Sequence, residues 1–527
     1  MVGKLRYQHS RQCEEANSNK DKAKLLANVF FPPKPPQTSV PADFQYPEPL
    51  LAPPAITISQ LHQQVGRLSP YKVSRPDGIP NIVLQKTIDL VEGHLIHIYW
   101  AMVRLGVYVD LWREFSTIVL RKLGKPNYEA PKAYRPIALI CTLAKLFTAI
   151  IAENITRLVE KEQLLPENYY GGRPGRMTTD AVHVLVKKIK SAWRKGRMVS
   201  VLFLDMEGAF PNAVTDQLLH NLRKLRIPEA YIKVIRLILE GRRTRLRFDH
   251  FISDPIWINN GIGQGDPLSM VLYILYNTDL LDIALSPEEE SLGFVDNAMI
   301  MAEGKNTKET LNIITDFIER DDGGFSWSIA HNSKFKIDKL ALVHFSKWNT
   351  DELNPGPAAP TLRLEERLIK TVSSYKYLGI HLDSKLNWSI QMQKAISKAT
   401  AWILLFQRLT RPSSGMSPKH MRQLYLSVVV PKMTYGLDTW YTPPRKEIGK
   451  KRNTGSVRAL KEFQKLQRIA TLAITGTLHT SPTDLLDLHA GLLPMDLLLK
   501  KICHRSSVRL CTLPSSNPAS RQLNRYM

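Results

Sequence analysis

A chain of 527 residues, 43% of them apolar, has material for several domains and a sizeable core. Its formal net charge of +24 points to a polyanionic partner. The four cysteines, Cys13, Cys141, Cys503 and Cys511, include no C-x-x-C pair, which argues against a disulfide framework or a zinc knuckle. The polar opening MVGKLRYQHSRQCEEANSNKDKAK lacks the apolar centre of a signal peptide, and the longest apolar stretch, near Ile137–Ala152, is short and interrupted by Lys145. An intracellular protein of the nucleus or cytoplasm, without a membrane partner, is the expectation.

In chain order, residues 1–56 read as a polar stub followed by a proline-rich linker, FPPKPPQTSVPADFQYPEPLLAPP at 31–54, which favours extended chain over packed elements. Residues 57–200 mix helical patterns with YRPIAL and GGRPGR loops. VSVLFLDMEGAF (199–210) is a β-branched and aromatic run that delivers Asp205 at its C-terminal edge. Two helices are predicted next, Asp216–Leu225 and Glu229–Glu240, separated by Pro228 and closed by Gly241. In GIGQGDPLSMVLYILYN (261–277) a glycine-rich turn enters an apolar helix, with Asp266 as N-cap and Pro267 at the first helical position. A dinucleotide fingerprint competes here, but the third glycine is out of phase and no ribose-binding acid follows. SLGFVDNAMIMAE (291–303) places two short apolar runs on either side of a two-residue tip, Asp296 and Asn297, and taken alone is an ordinary β-hairpin.

Beyond residue 388 the period is helical, with Trp388, Ile396, Ala399, Trp402, Leu405 and Leu409 on one apolar stripe, then a low-complexity stretch KEIGKKRNTGSVR (446–458) and helices at 459–475 and 483–503. From Lys385 to the end there are 23 Lys and Arg against 6 Asp and Glu, so most of the positive surplus lies after the acidic hairpin. Summed in this way it reads as a nucleic-acid track, whereas any single run such as KKR at 450–452 is a solvated surface.

The carboxylate strand, glycine-glutamine turn and acidic hairpin, in this order, resemble the palm of a reverse transcriptase. PDGIPN (76–81), KLGKPNYEAPKAYRPIAL (122–139), YYGGRPGRMTTDAV (169–182), NSKFKIDKLALVHFS (332–346) and YKYLGIHLDSKLNW (375–388) resemble successive blocks of the reverse transcriptases of non-LTR, LINE-type retrotransposons. The resemblance implies an α+β right-hand polymerase: fingers at 57–200, a palm with an antiparallel sheet at 201–385, a helical thumb and C-terminal extension at 386–503, and a tail at 504–527. It implies an RNA template, a DNA primer and deoxynucleoside triphosphates as partners. An upstream endonuclease and a downstream ribonuclease H fit neither end of the sequence, so endonuclease function is expected from a missing segment or another protein.

By the same resemblance, Asp205 and Asp296 hold Mg²⁺, or Mn²⁺, with the backbone carbonyl of Met206 as a third ligand; hard oxygen donors suit such ions. Phe210 lies where the family places the aromatic that excludes a 2′-hydroxyl. Gln264 and Gly265 match the turn that approaches the incoming nucleotide. Lys122 and Arg135 match positions that grip the triphosphate, and Lys339 matches a lysine that protonates the departing pyrophosphate. Taken alone, each acid is a turn or capping residue, Phe210 a core aromatic, and Lys122 and Arg135 surface cations.

Asn297 departs from the family, which has a second hairpin acid there. A unit charge at ~4 Å in an effective dielectric of ~20 is worth about 4 kcal/mol, on the order of a thousandfold in rate for a carboxylate that touches metal. The sequence therefore supports three readings: an RNA-directed DNA polymerase impaired by Asn297, a pseudoenzyme that binds primer-template without extending it, and a domesticated maturase-like or telomerase-like polymerase.

Overall fold

Residues 198–205, MVSVLFLD, combine β-branched and aromatic side chains without a polar alternation, the pattern of a strand covered on both faces. In the computed structural model Met198–Asp205 is the second strand of a four-stranded antiparallel sheet, ordered Ala341–Phe345, Met198–Asp205, Asn297–Gly304, Glu289–Phe294. Leu202, Leu204, Ala298, Ile300 and Leu342 face one core, shared with helices Thr142–Lys161, Thr215–Lys224, Glu229–Leu239, Pro267–Asn277 and Thr307–Glu319. Val201, Phe203, Met299, Met301, Val343 and Phe345 face a second core under helix Thr178–Arg194. Period-two alternation thus serves two apolar layers at once, and it leaves the sheet edge at Asp205 as the place where polar groups emerge.

The structure describes residues 2, 5–9, 12–51, 55–72, 77–348, 362–364, 367–409, 415–446, 449 and 452–520. Parts of the proline-rich linker, of the 446–458 stretch, of the PDGIPN block and of the tail fall outside them.

A second sheet is built from residues 114–139 and 242–258. Its order is Tyr134–Leu139, Glu114–Arg121, Arg242–Phe248, Phe251–Ile252, with Ile256–Ile258 also paired to Arg242–Phe248; the central pair, Glu114–Arg121 with Arg242–Phe248, is parallel. Two expectations need correcting here. The division at residue 200 does not hold for this sheet, because residues 242–258 return to complete the sheet begun at 114. The N-terminal region is no stub: Leu5–His9 and Gln12–Ala16 form a hairpin, and helix Asn19–Phe30 buries Leu25, Leu26 and Phe30 against Val119, Tyr134, Leu246 and Phe248. The apolar stripe of that helix is masked in sequence by its lysines, which stay outside the packed face. The linker after it has neither helix nor strand over 31–51 and is strapped down by Leu50 N–H donating to the Arg226 carbonyl (2.8 Å).

The predicted helices after Asp205 are found at Thr215–Lys224 and Glu229–Leu239. Downstream, YKYLGIHLD forms a hairpin, Ser374–Tyr377 with Ile380–Asp383, turning at Leu378 (φ 45°) and Gly379 (φ 89°), and Tyr375 stacks on Phe203 at 4.3 Å. The Asp383 carboxylate accepts from the backbone N–H groups of Asn387 (2.9 Å) and Trp388 (2.8 Å), fixing the entry to helix Ser389–Gln407. That helix buries Met392, Ala395, Ala399, Ile403 and Phe406, so the stripe is rotated from the expected one: Leu405 and Leu409 are 45% and 42% exposed. The expected helix 483–503 is two helices, Thr483–His489 and Met495–Cys511, broken where Gly491 takes φ 62° and Pro494 caps the second. No helix among the described residues is long and apolar enough to cross a membrane.

Candidate active site

The acidic hairpin is one residue out of the expected phase. Phe294 pairs with Asn297, so the tip consists of Val295 and Asp296, and Asn297 already belongs to the strand. Val295 takes φ 56°, a left-handed conformation that a β-branched residue adopts only under compulsion. The compulsion is visible. Its carbonyl accepts from Asn277 Nδ2 (2.8 Å) and from the buried Tyr169 hydroxyl (3.3 Å), and Tyr170 N–H donates to the Gly293 carbonyl (2.8 Å). A Cβ on Gly171 would lie 2.5 Å from Val295 N, so only glycine lets the YYGG segment close over the tip. The function of that block is thus local: it holds the hairpin in place.

The tip so held directs Asp296 outward, and register brings Asn297 opposite Asp205 at the end of Met198–Asp205. Asn297 Nδ2 donates to Asp296 Oδ1 at 3.3 Å. The Asp296 carboxyl is raised above the usual carboxylate range, first by the surrounding protein and then by the neighbouring negative charge of Asp205, with Lys336 and Lys339 pulling the other way. The residue is solvent-accessible, so its carboxyl sits in a recess rather than in the core.

Asp205 meets two ammonium groups. Lys339 Nζ is 2.6 Å from Oδ2 and Lys336 Nζ 3.4 Å from Oδ1; Lys336 also donates to the Met206 carbonyl at 3.1 Å. Both lysines are placed by an extension of the strand: Glu207 N–H donates to Lys334 O (2.8 Å), Lys336 N–H to Asp205 O (2.9 Å), and a short turn Ile337–Lys339 then presents Lys339. Lys132 pairs with Glu207 at 2.5 Å.

Lys122 and Arg135 come from the second sheet, Arg135 on strand Tyr134–Leu139 and Lys122 one residue past strand Glu114–Arg121. The Lys122 ammonium is lowered from its usual range, first by burial and then by the positive charges of Arg135, Lys336, Lys125 and Lys339. Its N–H donates to Ala133 O (2.9 Å) and its ammonium to Lys132 O (2.8 Å). Asp205 and Asp296 therefore stand near Lys336 and Lys339, with Lys122 in electrostatic range, an arrangement that can hold a cation and an anionic ligand side by side.

Phe210 is half-buried, tilted against Tyr273 at 4.9 Å, and its carbonyl accepts from Ile262 N–H (2.8 Å). Gln264 O accepts from Ala138 N–H at 2.7 Å, and Gly265, at φ 117°, has a backbone so close to Ala138 O that a Cβ would come to 2.7 Å. The glycine's freedom thus serves a close approach to the strand that carries Arg135. Asp266 caps helix Pro267–Asn277 through Leu268 N–H (2.9 Å), as the sequence predicts.

Sequence reasoning missed Lys336, Asn277 and Tyr169. For Lys336 the signal present was K-x-x-K spacing around a one-turn segment; for the other two there was none, since each acts on a residue far along the chain.

The donors at Asp205, Asp296 and Met206 are two carboxylates and a carbonyl, all hard oxygens, and the mutual repulsion of the two acids is what a divalent cation relieves. These residues fit such an ion.

Residues 123–382 match the family model described as "Reverse transcriptase (RNA-dependent DNA polymerase)". The chain is 25% identical over 398 residues to "Probable RNA-directed DNA polymerase from transposon BS" of Drosophila melanogaster, an alignment covering 73% of this chain and 42% of that protein. It is 26% identical over 409 residues to the corresponding protein of transposon X-element of the same organism (73% and 43% covered), and 24% identical over 401 residues to "RNA-directed DNA polymerase from mobile element jockey", also of Drosophila melanogaster (75% and 42%). The chain spans less than half the length of these relatives. The family-model match spans the sheet that carries both acids and, with retrotransposon relatives aligned along about three quarters of the chain, supports a LINE-type reverse transcriptase.

Proposed function

We propose that this chain is the polymerase segment of a retrotransposon protein, an RNA-directed DNA polymerase that adds deoxynucleotides to a primer 3′-hydroxyl on an RNA template. The observation that supports this reading is that Asp205 and the hairpin tip bearing Asp296 stand at one sheet edge, with Lys336 and Lys339 on Asp205 and Lys122 in electrostatic range of both lysines. Asp205, Asp296 and the Met206 carbonyl would hold Mg²⁺, or Mn²⁺ in its place. Bound there, divalent ions lower the pKa of the primer hydroxyl and neutralise charge on the triphosphate.

The chain's own residues do the rest. Lys122 and Arg135 bind the triphosphate oxygens, Arg135 with a planar fork and Lys122 as a point charge. Phe210 packs under the sugar and excludes a 2′-hydroxyl, and the Gln264–Gly265 turn positions the base end of the nucleotide. Lys339, free to leave Asp205 for a phosphate oxygen, donates a proton to the departing pyrophosphate. Fingers, palm and thumb are assigned to 57–200 together with 242–258, to the remainder of 201–385, and to 386–503; the basic thumb holds primer-template by phosphate contacts.

Asn297 favours a second reading, binding of primer-template without extension, because the position that pairs with Asp205 carries no charge. Primer extension on an RNA template with purified protein decides between them: extension abolished by Asp205→Ala supports the polymerase, and tight binding without extension supports the second reading.

A further inference from the structure

Lys336 contacts this site, and the polymerase reading gives it no step in nucleotide transfer. We propose that Lys336 is a built-in occupant of the divalent-metal position, so that metal binds only by displacing its ammonium and the chain's metal affinity is set by this competition. The inference rests on the metal-site reading given above.

Three observations carry it. First, Lys336 Nζ lies between two of the three expected ligand oxygens, 3.4 Å from Asp205 Oδ1 and 3.1 Å from the Met206 carbonyl, whereas Lys339 reaches only the other carboxylate oxygen of Asp205. A Mg²⁺ ion draws its oxygen ligands in to about 2.0–2.1 Å, which leaves no room for an ammonium on the same pair. Second, Lys336 is tethered. Its N–H donates to the Asp205 carbonyl (2.9 Å) and Phe335 bridges Met206, so the backbone cannot move off and the side chain must rotate away. Third, the Lys336 side chain is 28% exposed, so a displaced ammonium can turn toward water.

With Asn297 neutral, the pocket has two acids against the two lysines, and an entering dication meets a site whose charge is already compensated. Restoring the missing acid alone would then leave part of the deficit in place. Lys336 acts on the same site as Asn297, through binding of the metal rather than through the number of its ligands.

The test is Mn²⁺ titration of the full chain followed by electron paramagnetic resonance, with Asp205→Asn to identify the site. Lys336→Met keeps the aliphatic stem and removes the charge; it should tighten Mn²⁺ binding about tenfold or more, the factor that ~1.4 kcal/mol of relieved repulsion corresponds to. Lys336→Arg should stay near wild type. Lys336→Met binding Mn²⁺ no more tightly than wild type, at a site that Asp205→Asn abolishes, overturns the inference and leaves the metal reading intact. Mn²⁺ binding unaffected by Asp205→Asn in every variant, or absent from all of them, overturns the metal reading and this inference with it. Unchanged salt-dependent affinity for primer-template in Lys336→Met shows that the variant is folded.

Discussion

Asp205 and Asn297 are direct partners across two antiparallel strands, so the hairpin position that lacks an expected carboxylate lies directly opposite one of the two acids the chain retains. A charge restored there would act on Asp205 and, one residue away, on Asp296. Asn297→Asp should therefore raise single-nucleotide addition with Mg²⁺ by orders of magnitude at saturating template, with Asp205→Ala and Asp296→Ala abolishing it and primer-template affinity barely changed. Equal rates in an active pair would make the second acid dispensable.

The same variant should shift the pH profile. The Asp296 carboxyl is already raised by burial and by Asp205, and replacing the amide donor of Asn297 by another negative charge raises it further. A group with a raised pKa loses its proton at higher pH, so the acidic limb of Mn²⁺ affinity against pH should move to higher pH in Asn297→Asp than in wild type. A limb that moves the other way would place the titrating group elsewhere.

Phe210 makes its main aromatic contact with Tyr273 and is only half-buried, which leaves one face for a sugar. In an Asn297→Asp background, Phe210→Val should raise ribonucleotide incorporation relative to deoxyribonucleotide. Identical discrimination with Phe and Val would make Phe210 a core residue only.

Asn277 holds the Val295 carbonyl and thereby the strained tip. Asn277→Leu should destabilise the fold by about 1–3 kcal/mol, the penalty for a buried carbonyl losing its donor, and should lower extension in the Asn297→Asp background more than it lowers primer-template binding. Thermal melting together with both assays checks this; an unchanged melting temperature would show that Tyr169 alone suffices.

Lys398 is lowered by burial and by Lys376, Lys432 and Lys394, so four ammonium groups share one patch beside the helix Ser389–Gln407. Lys394→Glu with Lys398→Glu should weaken primer-template binding and reduce the slope of log affinity against log salt by about 0.9 for each phosphate that is no longer neutralised. An unchanged slope would remove this patch from the nucleic-acid path.

The polymerase core was legible where apolar patterning is local. The run ending in Asp205, the hairpin and the Asp266–Pro267 cap follow from side chains that are neighbours in sequence. The hairpin tip shifted by a residue because turn chemistry favours Asn or Asp at positive φ, while here Asn277 and Tyr169 impose that conformation on Val295 from a distance. Lys336 was legible only as half of a K-x-x-K spacing, because its place depends on residues 334–336 pairing with 205–207, more than a hundred residues upstream. The phase of helix Ser389–Gln407 was misjudged because Trp402 and Leu405 are as apolar as Ile403 and Phe406, and only the packed partner helices choose between the two faces.

The parallel pairing of Glu114–Arg121 with Arg242–Phe248 has a consequence for synthesis. Glu114 meets Arg243 only after 129 more residues have been made, roughly 6 to 26 s of translation at the usual elongation speed. Until then one edge of the strand 114–121 stands open on the ribosome, beside Leu120 and Ile118, as a template for any other extended chain. Nascent copies emerging close together on one messenger would be the nearest such chains, and the early hairpin is where they would first misassociate.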